Sequence, residues 1–262
     1  MNDQNRDDVM ARLERLGFEV QPIPETSISL QPDLVTLSDG VTMYVEVKTR
    51  SEDRVLRGDM EAVRIGREVE ILTNLDKHNS ISAEVKHASR QLDTAAQSDD
   101  LRLLWYRADR GPFVSGTKEQ IGSSLYGMRM VLADRPSHPR RPWHCAYAGH
   151  ADFFRFPEID GVMIEVDGLI SLFLNPFSPR ADAFAVSRIV RVLAADDAVF
   201  DIQRAIADGQ IFSAGGDAPR RDDAALLEHL ASRYPETTFV RFLRSGGVTV
   251  MTTIDGSNEA SN

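Results

Sequence analysis

Cysteine is almost missing from this chain: Cys145 is the single one in 262 residues. That excludes an internal disulfide framework and suits a reducing compartment. Long apolar runs are missing as well. The longest, Leu169 to Leu174, is the size of a strand and far too short to cross a bilayer. Met1 to Asp8 is polar and acidic with no apolar h-region, so no secretory signal is expected. Positive charge is in deficit, with 30 Lys and Arg against 40 Asp and Glu and a formal net charge of −10. Bulk charge therefore argues against non-specific adhesion to nucleic acid, although a local basic surface stays open. No phosphate-binding P-loop and no dinucleotide fingerprint occurs, which argues against ATP-driven chemistry. These absences describe a soluble, cytoplasmic protein with no membrane partner.

What is present begins with material for a core. Hydrophobic residues make up 42% of the chain, enough for one large domain or a domain with an appendage, and too many for a disordered protein. The most informative stretch is Gln31-Pro32-Asp33-Leu34-Val35-Thr36 followed by Val41 to Lys48. Between them lies Leu37-Ser38-Asp39-Gly40, whose Asp-Gly is a strong hairpin-turn signal. In the second strand Val41, Met43, Val45 and Val47 fall on one face and Thr42, Tyr44, Glu46 and Lys48 on the other. Glu46 and Lys48 therefore project side by side, and the hairpin brings Asp33 opposite them. Two carboxylates and an ammonium converging in a half-buried sheet are costly, and a bound divalent cation would relieve them. The bland alternative is a hairpin whose outward residues are ordinary solvated charges.

Pro32-Asp33 followed by Glu46-Val47-Lys48 at the end of the next strand resembles the signature of the PD-(D/E)XK nuclease superfamily, with its restriction-endonuclease-like fold. The preceding Leu13-Glu14-Arg15-Leu16-Gly17-Phe18-Glu19-Val20 resembles the opening of that fold, where a helix ends at a glycine and feeds a first strand. The resemblance covers roughly residues 7–107. It implies Mg²⁺ or Mn²⁺ held by Asp33, Glu46 and the Val47 carbonyl, with Lys48 orienting the attacking water or stabilising developing charge. It also implies phosphodiester hydrolysis leaving a 5′-phosphate, with nucleic acid as partner and DNA as the expected polymer. Many members carry an acidic residue on the first helix that reaches the metal. Asp7, Asp8 and Glu14 are all candidates, and the spacing to the terminal glycine favours Asp7 or Asp8, although both also suit the positive end of the helix dipole.

Helical periodicity predicts Asp7 to Leu16 and, more clearly, Ile81 to Ala96. In the latter Ile81, Val85, Ala88, Leu92 and Ala95 form an apolar stripe, while Glu84, His87, Gln91 and Thr94 form a second face. In the resembled fold a helix here packs beside the catalytic hairpin and sends a Gln or Lys to the site. Gln91 is the first candidate and Lys86 the second, against the reading of Gln91 as a surface glutamine. Leu101 to Arg107 reads as an interior parallel strand. Thr49 to Asn79 is ambiguous between helix and strands and is expected near the mouth of the site. Basic residues gather at Lys48, Arg50, Arg54, Arg57, Arg64 and Arg67, diluted by acidic ones, and again at Arg135, Arg140 and Arg141.

Beyond residue 110 the expectations are coarser. They comprise a helix over 117–126, a proline-rich basic loop over 135–142, and a hairpin of 162–166 with 169–174. Two helices over 183–193 and 198–207 follow, then a helix over 222–234 and a hairpin over 237–254. His138, His144, Cys145, His150 and Asp152 lie near one another in sequence, but lack the tight paired spacing of a zinc site. The expected architecture is α/β. A restriction-endonuclease-like core with a central mixed sheet flanked by helices occupies 1–110, and an α+β extension over 111–262 packs on or beside it. That extension is also the expected surface for a second copy or a partner protein. The alternative function is a non-catalytic nucleic-acid-binding or assembly module on the same fold.

Overall fold

The computed structural model describes residues 3–24, 30–50, 69–74, 79–108, 114–136, 138–166, 168–243 and 246–251. Helix α1 (Asp3–Arg15) ends where Gly17 takes a φ of +84°, the left-handed conformation that glycine adopts without strain. The chain then forms β1 (Glu19–Pro22), β2 (Leu34–Ser38) and β3 (Val41–Arg50) as an antiparallel meander. The turn joining β2 to β3 has positive φ at both Asp39 and Gly40, the primed geometry that the Asp-Gly pair favours. Arg191 clamps the Asp39 carboxylate from across the fold at 2.7 Å.

After β4 (Val69–Asn74) comes α2 (Asn79–Ala95), which carries the chain to β5 (Leu101–Ala108), parallel to β3. Then follow α3 (Val114–Tyr126), β6 (Arg129–Arg135), β7 (His138–Ala146) and the single turn α4 (Asp152–Arg155). The strands β8 (Gly161–Val166) and β9 (Leu169–Leu174) form the hairpin expected there, with β8 parallel to β5. After them come α5 (Ala181–Ala185), α6 (Arg188–Ala194), β10 (Val199–Phe200), α7 (Ile202–Ala207), β11 (Phe212–Ser213), α8 (Asp223–Arg233), β12 (Thr238–Leu243) and β13 (Gly246–Met251).

A seven-stranded mixed sheet runs β1-β2-β3-β5-β8-β9-β10, so residues on both sides of position 110 share it. Helices cover both of its faces. On one, Val9 and Leu13 of α1 and Ile189 and Leu193 of α6 meet Val45, Val47, Leu103 and Trp105. On the other, Ile81, Val85, Ala88 and Leu92 of α2 meet Leu104, Tyr106, Val162 and Ile164, with Ile121 and Leu125 of α3 in the same cluster. That double cover explains why β5 is apolar almost throughout. The expected α/β class, mixed sheet and flanking helices are all present.

A second sheet, β11-β7-β6-β12, packs α8 against Trp143 and Phe212. Here three sequence expectations are corrected. Residues 138–142, expected in a basic loop, belong to β7. Its prolines are accommodated because β11 reaches only Cys145 and Ala146, leaving Pro139 to Pro142 on an edge with no second partner strand among the described residues. The expected helix over 198–207 starts with the strand β10, and Asp201 then caps α7 by accepting the N–H groups of Gln203 and Arg204. The strands of the expected C-terminal hairpin do not pair with each other: β12 joins β6, where Phe239 and Phe242 pack into the second core, and β13 joins β4. Residues 51–68 lie outside the described residues.

Candidate active site

Regular pairing of β2 with β3 runs as far as Leu34 opposite Val45. One residue further out, the Asp33 N–H donates to the Val45 carbonyl and the Asp33 carbonyl accepts from Ile23, so its backbone is held on both sides. The Asp33 side chain then takes over from the missing strand: Oδ2 accepts the Val47 N–H at 2.7 Å. The N–H and C=O of one strand residue share an edge, so the Val47 carbonyl lies on the edge where Asp33 sits.

On the face of β3 turned toward α2, Glu46 is 1% exposed. Lys48 Nζ donates to Glu46 Oε1 at 2.5 Å and to Gln91 Oε1 at 3.1 Å. Gln91 Nε2 donates to the Gln31 carbonyl at 2.9 Å, and His87 Nδ1 lies 2.5 Å from Gln91 Oε1. Three segments distant in sequence (residues 31–33, 46–48 and 87–91) thus meet at one point, because α2 crosses directly over the hairpin. Asp33, Glu46, Lys48 and Gln91 are brought together. Lys86, the second choice on α2, is exposed.

The electrostatics of the paired carboxylates favour taking up a proton or a cation. Burial, and then the Asp33 charge, push the Glu46 carboxyl up to about 8, with Lys48 pulling the other way. Burial also raises Asp33, partly offset by the Val47 N–H. Glu46 Oε2 is buried with no hydrogen-bond partner. An orphaned carboxylate oxygen beside a second carboxylate and a main-chain carbonyl is an all-oxygen donor set, the kind a hard divalent cation takes. Among the described residues no group of three or more His, Cys, Asp or Glu side chains could hold a metal ion. The donor set here is two carboxylates and a peptide oxygen.

The first helix departs from the sequence expectation. Asp8 binds Arg107 at 2.7 Å, which holds its carboxyl below the usual range, and Asp7 is exposed beside Arg6. Neither is engaged at the site, because the turn of α1 nearest β3 presents Asn5, which donates to Thr49 Oγ1 at 2.8 Å, and Arg6, whose charge acts on Asp33. Of the basic groups, Arg54, Arg57, Arg64 and Arg67 lie outside the described residues. Arg140 is paired with Asp134, and Arg135 and Arg141 stack on Trp143.

Two contributions to the site were not assigned from sequence. The Gln31 carbonyl is a backbone group and leaves no side-chain signal. His87 did leave one, its four-residue spacing from Gln91 on the polar face of α2. Cys145 is buried and its thiol pushed up to about 12 by burial, while Asp152 is tied to Ser82 and Ser124. No helix among the described residues is long and apolar enough to cross a membrane. Compared with protein-family models and with curated proteins, the sequence matches none.

Proposed function

We propose that this protein is a metal-dependent nuclease of PD-(D/E)XK type, hydrolysing phosphodiester bonds of nucleic acid, DNA foremost, on a restriction-endonuclease-like core. One observation carries the reading. Asp33, Glu46 and Lys48 converge with Gln91, and no hydrogen-bond donor reaches the buried Glu46 Oε2, which faces the Asp33 carboxylate. A purely structural salt bridge has no need of an unsatisfied oxygen, which costs free energy in the folded state. The arrangement of α1, the β1-β2-β3 meander and a parallel β5 reached through α2 supports the same assignment.

Asp33, Glu46 and the Val47 carbonyl would hold Mg²⁺ or Mn²⁺. When bound, the ion supplies a Lewis acid for the scissile phosphate and for the attacking water. Asp33 stays aligned because its carboxylate is anchored on the Val47 N–H. Burial of Glu46 keeps bulk water from its inner oxygen, and a bound cation would offset the burial that otherwise disfavours its charge. Lys48, held between Glu46 and Gln91, presents a positive charge toward substrate, where it orients water and stabilises charge developing on the phosphate.

The test is incubation of purified protein with supercoiled plasmid and labelled DNA and RNA oligonucleotides, with Mg²⁺ or Mn²⁺ and an EDTA control. Metal-dependent cleavage that disappears in Lys48→Ala is expected. Full activity in Lys48→Ala removes this mechanism. Silence toward every substrate, with binding retained, replaces it with the non-cleaving module.

A further inference from the structure

His87 takes no part in the chemistry described so far, yet it touches the site at an informative atom. Gln91 Oε1 accepts from Lys48 Nζ at 3.1 Å, while Gln91 Nε2 donates to the Gln31 carbonyl at 2.9 Å. Turning the amide over would set its NH₂ against the Lys48 ammonium and its oxygen against the Gln31 carbonyl. The orientation is therefore fixed by chemistry. An amide oxygen only accepts, so His87 Nδ1, 2.5 Å away, must be the donor. His87 carries a proton on Nδ1, and its ring stands on the exposed rim of α2.

We infer that His87 is a positioning residue of this site: it holds the Gln91 side chain in the orientation that offers its oxygen to the Lys48 ammonium. An isolated pair four apart on a wet helix is a weak surface contact. Here the shared acceptor also carries Lys48, which in turn is bonded to Glu46. Without His87, the amide keeps Gln31 on its nitrogen but its oxygen is held by Lys48 alone, so the oxygen swings more freely toward water. Lys48 then shares with water a less firmly held neutral acceptor, and its direction is set less tightly. The inference deepens the nuclease reading and rests on it only for the effect on cleavage.

The experiment compares wild type with His87→Ala and His87→Asn in the full chain. Asparagine places an N–H donor at nearly the distance from Cβ that Nδ1 has. Two quantities are measured. One is the hydrogen-exchange rate of the Gln91 side-chain amide by NMR without metal or substrate, and the other is kcat and KM on a labelled DNA duplex with Mn²⁺. In His87→Ala the Gln91 amide should exchange about tenfold faster, and kcat should fall by about tenfold at unchanged KM, the size of one lost hydrogen bond in a site. His87→Asn should restore both. A merely structural role predicts otherwise, since alanine is the better helix former and should leave the helix at least as stable.

Unchanged Gln91 exchange in His87→Ala overturns the inference, whatever cleavage does. Faster exchange with kcat unaltered in an active enzyme overturns it too, since the contact then has no consequence for Lys48. If wild type cleaves nothing, the nuclease reading fails by itself. The exchange rates still decide whether His87 holds Gln91.

Discussion

Two buried acidic centres lie in the main sheet, and they are built in opposite ways. Asp160, at the amino-terminal end of β8, is 0% exposed. Its Oδ2 accepts the Arg102 N–H at 2.7 Å and Arg180 Nε at 3.1 Å, and its Oδ1 accepts the Ser178 hydroxyl. Burial raises its carboxyl, but Ser178, Arg180 and Arg102 all pull it back. Glu46 is buried as deeply, yet it faces a second carboxylate and leaves one oxygen unpartnered. The first centre is complete and ties loop to strand. The second leaves one oxygen without a donor beside a like charge, and the nuclease proposal rests on that difference.

The contrast can be broken by mutation. The largest effect expected is on chemistry: Lys48→Ala should lower cleavage by about 10³-fold or more while its thermal unfolding stays close to wild type. Plasmid nicking and calorimetry on the same preparation check both halves.

Next come opposite signs in stability. Asp160→Ala removes one partner of a buried ion pair and should cost about 3–5 kcal/mol by urea unfolding. Glu46→Gln removes a charge the fold disfavours, so it should be at least as stable as wild type in mildly alkaline solution while losing cleavage. A loss of stability in Glu46→Gln comparable to that in Asp160→Ala would erase the distinction between the two centres.

A pH series sharpens the same point. Burial and the Asp33 charge push the Glu46 carboxyl up to about 8, against 4.5 for a free glutamate, so between those limits the native state holds a proton that the unfolded chain has released. The unfolded state binds fewer protons, and stability therefore falls as pH rises through this window. Glu46→Gln should abolish this component, measured as urea midpoints across the window. For the same reason, Mg²⁺ or Mn²⁺ binding at neutral pH should displace about one proton, visible by calorimetry in buffers of different ionisation enthalpy. It should also raise the melting temperature by mass action, and Asp33→Asn should remove that rise. The smallest expected change is in Gln91→Ala, about tenfold in kcat because Lys48 keeps Glu46 when it loses the Gln91 oxygen, with little change in urea midpoint because alanine favours the helix.

The sequence by itself was enough for the local parts of this molecule. Asp39-Gly40 made the β2–β3 turn legible because few residues accept positive φ at both positions. The 3.6-residue spacing of Ile81, Val85, Ala88 and Leu92 identified α2 and, on its flank, Gln91. Alternation along β3 put Glu46 beside Lys48. Each of these depends on residues near one another in the chain, whose backbone geometry permits few choices.

Only the tertiary structure decided the rest. Glu46 became fully buried because α2 closes over a face that alternation alone would leave half-solvated. Asp8 was drawn to Arg107 on β5, leaving Asn5 and Arg6 as the residues that α1 presents toward the hairpin. β12 and β13 went to different sheets because β6 and β4 offered them separate partners. Such outcomes depend on which distant surfaces compete for the same strand or side chain, and no local pattern of residues contains that competition.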